Sequence, residues 1–172
     1  STVYLSLSQR LEETAEWVRP MLEINSCAFR VTIAEQIYID INYSRFEAAV
    51  LNLIINAYMY NDSANKEITL ELTADGDRVC VSVSDNGTSA DVGEIEKHLD
   101  FNNGFKKFSP HESLGLAVVK AMTDAFDGTV ELENSPTGGL KVKLFLPRYP
   151  KSVPKVFRLR RLPTIISQYD PQ

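Results

Sequence analysis

Asn52, Asn56 and Tyr60 stand four residues apart in the run Asn-Leu-Ile-Ile-Asn-Ala-Tyr-Met-Tyr, the spacing that lines side chains along one face of a helix. Asparagine forms helices poorly, because its amide competes for backbone hydrogen bonds. Two of them among aliphatic neighbours therefore need a reason. An exposed polar stripe is one. Ligation is another: an amide oxygen is a hard, neutral donor of the kind Mg²⁺ accepts while most of its shell stays water and phosphate.

Three further sets of residues could do chemistry. Asp85-Asn86-Gly87 has the Asn-Gly pair of a hairpin turn, yet no partner strand follows it. A carboxylate ending a strand beside a glycine can instead accept a hydrogen bond from a ligand amine while the chain passes close to a flat ring. Ser113-Leu114-Gly115-Leu116 opens a helical pattern. Ser113 could be a plain N-cap, and Gly115 a packing residue. Equally, the free N–H groups and positive end of a helix dipole collect phosphate where a glycine lets an anion approach. Lys106 and Lys107 could add charge there or simply be solvated. His98 and His111, the two histidines, read as loop residues. Cys27 and Cys80 lack the paired spacing of a zinc site or a disulfide framework, which fits a reducing compartment.

The elements that must position these groups follow from periodicity. Leu7, Leu11, Ala15, Val18 and Leu22 predict an amphipathic helix ending near Glu23. Residues 28–33 and 36–41, rich in β-branched and aromatic types, predict a small strand pair. Ser44, with Glu47 three residues on, has the capping-box pattern for a helix running to about Tyr60. Residues 67–73 and 79–83 alternate around Ala74-Asp75-Gly76-Asp77 and predict a hairpin. Residues 86–112 lose all periodicity, and a stretch of that length implies a functional loop, here a lid. A helix over 113–126 and a hairpin of 130–133 with 141–146 complete the pattern. Helices alternating with hairpins, without crossover units, predict an α+β fold: a two-layer sandwich, mixed sheet with helices on one face.

Taken in order, Asn-x-x-x-Asn-Ala on a helix, Asp-x-Gly after a strand and Gly-Leu at the next helix start resemble the ATP-binding domain of sensor histidine kinases, in the Bergerat-fold (GHKL) superfamily shared with gyrase, Hsp90 and MutL. The resemblance covers residues 1–147. The segment from Asn52 to Tyr60 looks like the family's N box, Asp85 to Gly87 its G1 box, residues 101–108 its F box, and Gly115 with Leu116 the end of its G2 box. It implies Asn56 as the Mg²⁺ ligand, Asn52 supporting the phosphates, Tyr60 packing near adenine and Asp85 accepting its exocyclic amine. It also implies transfer of the ATP γ-phosphoryl group to a histidine on a separate segment, with a response regulator downstream. Gyrase-type relatives that hydrolyse ATP carry a glutamate general base where this chain has Asn52, so the resemblance implies transfer to a partner residue over attack by water. Met59, Ser89 and Ser113 depart from the family pattern, which has a basic residue, a glycine and a glycine there. A second reading is a regulatory module of the same fold that binds nucleotide weakly or not at all and acts by protein contact.

Composition narrows the partners. Of 18 basic and 23 acidic residues, six basic ones and Asp170 lie in 148–172, a basic, proline-containing tail or linker. The preceding 147 residues keep 12 basic and 22 acidic side chains, which argues against a nucleic-acid partner. No apolar run approaches the ~18 residues that span a bilayer. A cytoplasmic setting is expected, as a free domain or as part of a membrane-anchored kinase.

Overall fold

A computed structural model describes residues 4–88, 91–93 and 112–150. The elements in chain order are β1 (Leu5–Ser6), α1 (Leu7–Ile24), β2 (Ala28–Ile33), β3 (Tyr38–Ile39), α2 (Tyr43–Met59), β4 (Glu67–Asp75), β5 (Arg78–Asp85), α3 (Glu112–Ala125), β6 (Thr129–Asn134) and β7 (Leu140–Pro147).

Five strands form one sheet in the order β2-β4-β5-β7-β6. β2 runs parallel to β4, and the remaining neighbours are antiparallel, so the sheet is mixed. Register puts Leu70, Val83 and Val142 in one row and Leu72, Val81 and Leu144 in the next. All six are buried, and with Ile68, Val79 and Leu146 they make the face on which the helices lie. Alternation sends the neighbouring residues to the other face. There Glu71, Ser82 and Lys143 share a row, and Lys143 Nζ pairs with Glu133 Oε2 at 2.9 Å. The α+β sandwich with helices on one face is what the patterning predicted.

α1 buries Leu7, Leu11, Ala15, Val18 and Leu22 and turns Trp17, Met21 and Ile24 outward. Ser6 caps it, its side chain accepting from Gln9 N. Arg19 Nη1 donates to Phe29 O at 2.8 Å, so α1 also covers the open edge of β2.

Three local expectations are corrected. The segments 28–33 and 36–41 do not pair with each other. β2 joins the main sheet beside β4, while β3 pairs antiparallel with β1, two residues directly ahead of α1. Ser8 explains the split: its Oγ donates to Ala34 O at 2.6 Å and accepts from Ile37 N at 2.9 Å, and Gln36 turns the chain at a φ of 58°. Nor does Ser44 cap α2. Asn42 does, its side chain accepting from Arg45 N. Glu47 does not fold back to the cap because Thr14 Oγ1 of α1 donates to its Oε2 at 2.6 Å. Tyr43 OH is held by Arg10 O at 2.9 Å, and burial pushes its hydroxyl up to about 12. Ser113 is likewise inside α3 and not ahead of it.

Candidate functional site

α2 brings the N-box residues to the sheet. Its apolar stripe, Phe46, Ala49, Val50, Leu53 and Ile54, is buried, which leaves Asn52 and Asn56 half-buried at the margin. Among the described residues Asn56 Nδ2 is the buried side-chain nitrogen or oxygen without a hydrogen-bond partner. Leaving such a donor unpaired costs about 1–3 kcal/mol, which marks Asn56 out from the other polar residues of the helix. Tyr60 ends the helix as its C-cap and keeps its ring exposed.

The end of α2 runs straight into the turn after β5. Asn61, 4% exposed, donates from Nδ2 to Asn86 Oδ1 at 2.9 Å. Thr88 donates both its N–H, at 2.8 Å, and its hydroxyl to the Asp62 carboxylate. Those bonds hold the exposed Asp62 carboxyl below its ordinary value of 3.8.

Asp85, the last residue of β5, sits between this junction and the start of β7. Its Oδ1 accepts from Gly87 N at 2.9 Å, and the Leu140 backbone N–H donates to the same carboxylate. Thr137 Oγ1 donates to Asp85 O at 3.2 Å. No cation pairs with Asp85 among the described residues. Burial pushes its carboxyl above 3.8; the two N–H donors pull against that, and the Asp62 charge adds to it.

Space is short at two glycines here, and at Gly139 it demands glycine. A Cβ on Gly139 would stand 2.6 Å from Asp85 O and 2.8 Å from Asp85 Cγ, with Oδ1 closer still. On Gly87 it would meet Asp85 Oδ1 at 3.1 Å and Asn61 Oδ1 at 3.3 Å. The constraint at Gly87 thus comes from Asn61 as well as from the carboxylate.

Of the other expected residues, Gly115 lies in the first turn of α3. Leu116 is buried in the apolar core. Lys106, Lys107, Ser89, His98, His111, the F-box segment, most of the expected lid and the chain beyond 150 lie outside the described residues. Cys27 and Cys80 are free and buried, and burial raises both thiols. No cluster of three or more His, Cys, Asp or Glu capable of holding a metal occurs among the described residues. A cation here would rely on amide oxygen, water and phosphate, the donor set Mg²⁺ takes.

Sequence reasoning did not find Asn61, Asp62, Thr88, Thr137, Gly139 or the Leu140 N–H as parts of this site. One signal was available: Gly138 alone, at a φ of 112°, serves the hairpin turn, so a second glycine beside it pointed to a close approach.

The family model for histidine kinase-, DNA gyrase B- and HSP90-like ATPases matches residues 41–150, from the start of α2 to just past β7. The chain belongs to this family. Within it, sensor kinases are well represented among the relatives. The Escherichia coli sensor protein KdpD is 31% identical over 142 residues, which is 80% of this chain and 16% of KdpD. The Bacillus subtilis sensor histidine kinase YxdK is 30% identical over 112 residues, 63% of this chain and 34% of YxdK. The chain therefore spans about a sixth to a third of these relatives' length. The fold matches the catalytic domain of histidine kinase ThkA with a TM-score of 0.73 at 19% identity, over 86% of this chain and 97% of that one. It also matches the ATP-binding domain of PrrB from Mycobacterium tuberculosis, with a TM-score of 0.66 at 26% identity over 85% and 96%. This is an ATP-binding domain of the histidine kinase, gyrase and HSP90 type, resembling the catalytic domains of sensor histidine kinases; the reading as a regulatory module with weak or no nucleotide binding is not favoured. No described helix is long and apolar enough to cross a membrane.

Proposed function

We propose that the domain binds Mg·ATP and delivers its γ-phosphoryl group to a histidine carried on a separate segment, of the same or a partner kinase chain, from which a response regulator takes it. In that transfer the bond from the γ-phosphorus to its bridging oxygen breaks, ADP leaves, a phosphorus–nitrogen bond forms on the imidazole, and the ring proton goes to solvent. Asp85 accepts the exocyclic amine of adenine, Gly87 lets the chain pass the ring, and Tyr60 packs beside it. Asn56 offers its amide oxygen to Mg²⁺, which would neutralise charge on the phosphates when bound. Asn52 supports those phosphates, with Lys106 and Lys107 adding charge and the backbone N–H groups at Gly115 and Leu116 completing the cradle. Phosphoryl transfer asks a protein mainly for positioning and charge stabilisation, and no general base stands at Asn52.

The observation that carries this reading is Asp85: a half-buried carboxylate, oriented by two backbone donors and matched by no cation among the described residues, with lone pairs left for a ligand N–H. Calorimetric titration with ADP and Mg²⁺ tests it. Binding in the micromolar range is expected, and Asp85→Asn should weaken it at least about tenfold, since a charge-assisted hydrogen bond contributes about 1.5–3 kcal/mol. No heat up to about millimolar ADP would overturn it.

A further inference from the structure

The junction between α2 and the turn after β5 is tied more thoroughly than chain continuity needs. Asn86 uses every hydrogen-bonding site of its amide. Its Oδ1 accepts from Asn61 Nδ2 at 2.9 Å and from Glu67 N at 2.8 Å; its Nδ2 donates to Asn65 O at 2.7 Å and to Ser63 Oγ at 3.4 Å. Asn61 Oδ1 in turn accepts from Ser63 N at 2.9 Å. One residue further along the first segment and two along the second, Asp62 takes both donors of Thr88. Gly87, between the two ties, is packed against Asn61.

Consecutive residues at the end of one element thus grip alternate residues of another. Two ties fix orientation where one would leave a pivot. Asp85 directly precedes the gripped turn, and the helix that carries Asn52 and Asn56 ends at Tyr60, directly before the gripping one. The span between the helix and the carboxylate is therefore set by polar contacts of fixed length. Amide and carboxylate bonds are directional and tolerate a few tenths of an ångström; apolar packing at the same place would permit sliding.

We propose that Asn61, Asp62, Asn86 and Thr88 form a two-point clamp of positioning residues that holds the Asp85 carboxylate at the distance from α2 at which a 6-amino purine is distinguished from a 6-oxo purine. The inference rests on Asp85 reading the base, as above. An exocyclic amine donates to the carboxylate, whereas a 6-oxo group meets it lone pair to lone pair, so selectivity depends on where the carboxylate stands. A bond misplaced by about 1 Å is largely lost.

The test compares ADP with inosine diphosphate, each with Mg²⁺, on the full chain and on Asn86→Ala, Thr88→Val, Thr88→Ser and Asp85→Ala, alongside thermal melting. The wild type should prefer ADP. In Asn86→Ala and Thr88→Val the ratio of the two dissociation constants should shrink by about ten- to a hundredfold, the worth of one charge-assisted hydrogen bond. Asp85→Ala should shrink it similarly. Thr88→Ser, which restores the hydroxyl, should return the ratio. A parallel fall of both affinities together with the melting temperature, the ratio unchanged, would mean that the clamp only supports the fold, and the proposal fails. Should Asn86→Ala not fold, the Thr88→Val and Thr88→Ser pair decides alone. A wild type that binds neither nucleotide, or both equally, overturns the reading of Asp85 and the clamp's role with it. A wild type that discriminates, with clamp variants that discriminate as well, overturns the clamp alone.

Discussion

At the scale of single residues, the role proposed for Asp85 sets function against stability. Partial burial pushes its carboxyl above the ordinary 3.8. The folded state therefore holds that proton more tightly than the unfolded chain does. Ionised Asp85 costs stability at neutral pH, and the cost is relieved as pH falls through its raised value. ADP affinity should follow the opposite course, declining on acidification at a higher pH than an ordinary aspartate would give; titrations between about pH 4 and 7 would show it. Asp62 has the other sign: its lowered carboxyl contributes stability above the unfolded value, lost as pH falls through the folded one. Gly139→Ala should cost about 1–3 kcal/mol by overpacking and also displace Asp85, so melting temperature and ADP affinity drop together. At Gly138, whose Cβ would meet only Gly87 O at 3.4 Å, alanine should lower the melting temperature through backbone strain at its φ of 112° and leave ADP affinity within a few-fold. Asp85 was picked out from the sequence as a candidate because a carboxylate and a glycine end a strand with no partner strand after them. Gly139 and Asn61 were not, since both lie far from Asp85 along the chain.

At the scale of elements, α2 shows how a local pattern loses to a tertiary one. Ser44 and Glu47 spell a capping box, yet Thr14 draws Glu47 onto α1 and Asn42 takes over the cap. Asn42→Ala should therefore destabilise the domain by about 1 kcal/mol, the usual cost of a lost cap, while Ser44→Ala stays within about 0.5 kcal/mol, as surface changes do. Chemical denaturation of the two variants separates them, and equal effects would reject the assignment. The β2 and β3 segments tell a similar story. Their composition predicted strands correctly, but composition is silent about partners, and Ser8 together with the turn at Gln36 sends each to a different sheet.

For the molecule as a whole, the one-sided sheet accounts for both the core and the site. The buried row of Leu72, Val81 and Leu144 carries the stability, and Leu144→Ala should cost about 2–5 kcal/mol. Contacts continue past Pro147: Arg148 N donates to Asp77 O at 2.8 Å, Tyr149 N to Tyr38 O at 2.9 Å, and the Tyr149 ring stacks on Tyr4. Shortening the chain to residues 1–150 should preserve melting temperature and ADP affinity, whereas stopping at 147 should lower the first. The sequence by itself determined the order of the helices and main strands, the apolar face of each, and the motifs Asn52-x-x-x-Asn56 and Asp85-x-Gly87. Those are properties of local spacing, and local spacing is written along the chain. Only the tertiary structure decided that β2 lies parallel beside β4, that the end of α2 is clamped to the turn after β5, and that Gly139 closes on Asp85. Each of these brings together residues distant in sequence. Periodicity carries no information about such meetings, because they are settled by packing and by where buried polar groups find partners.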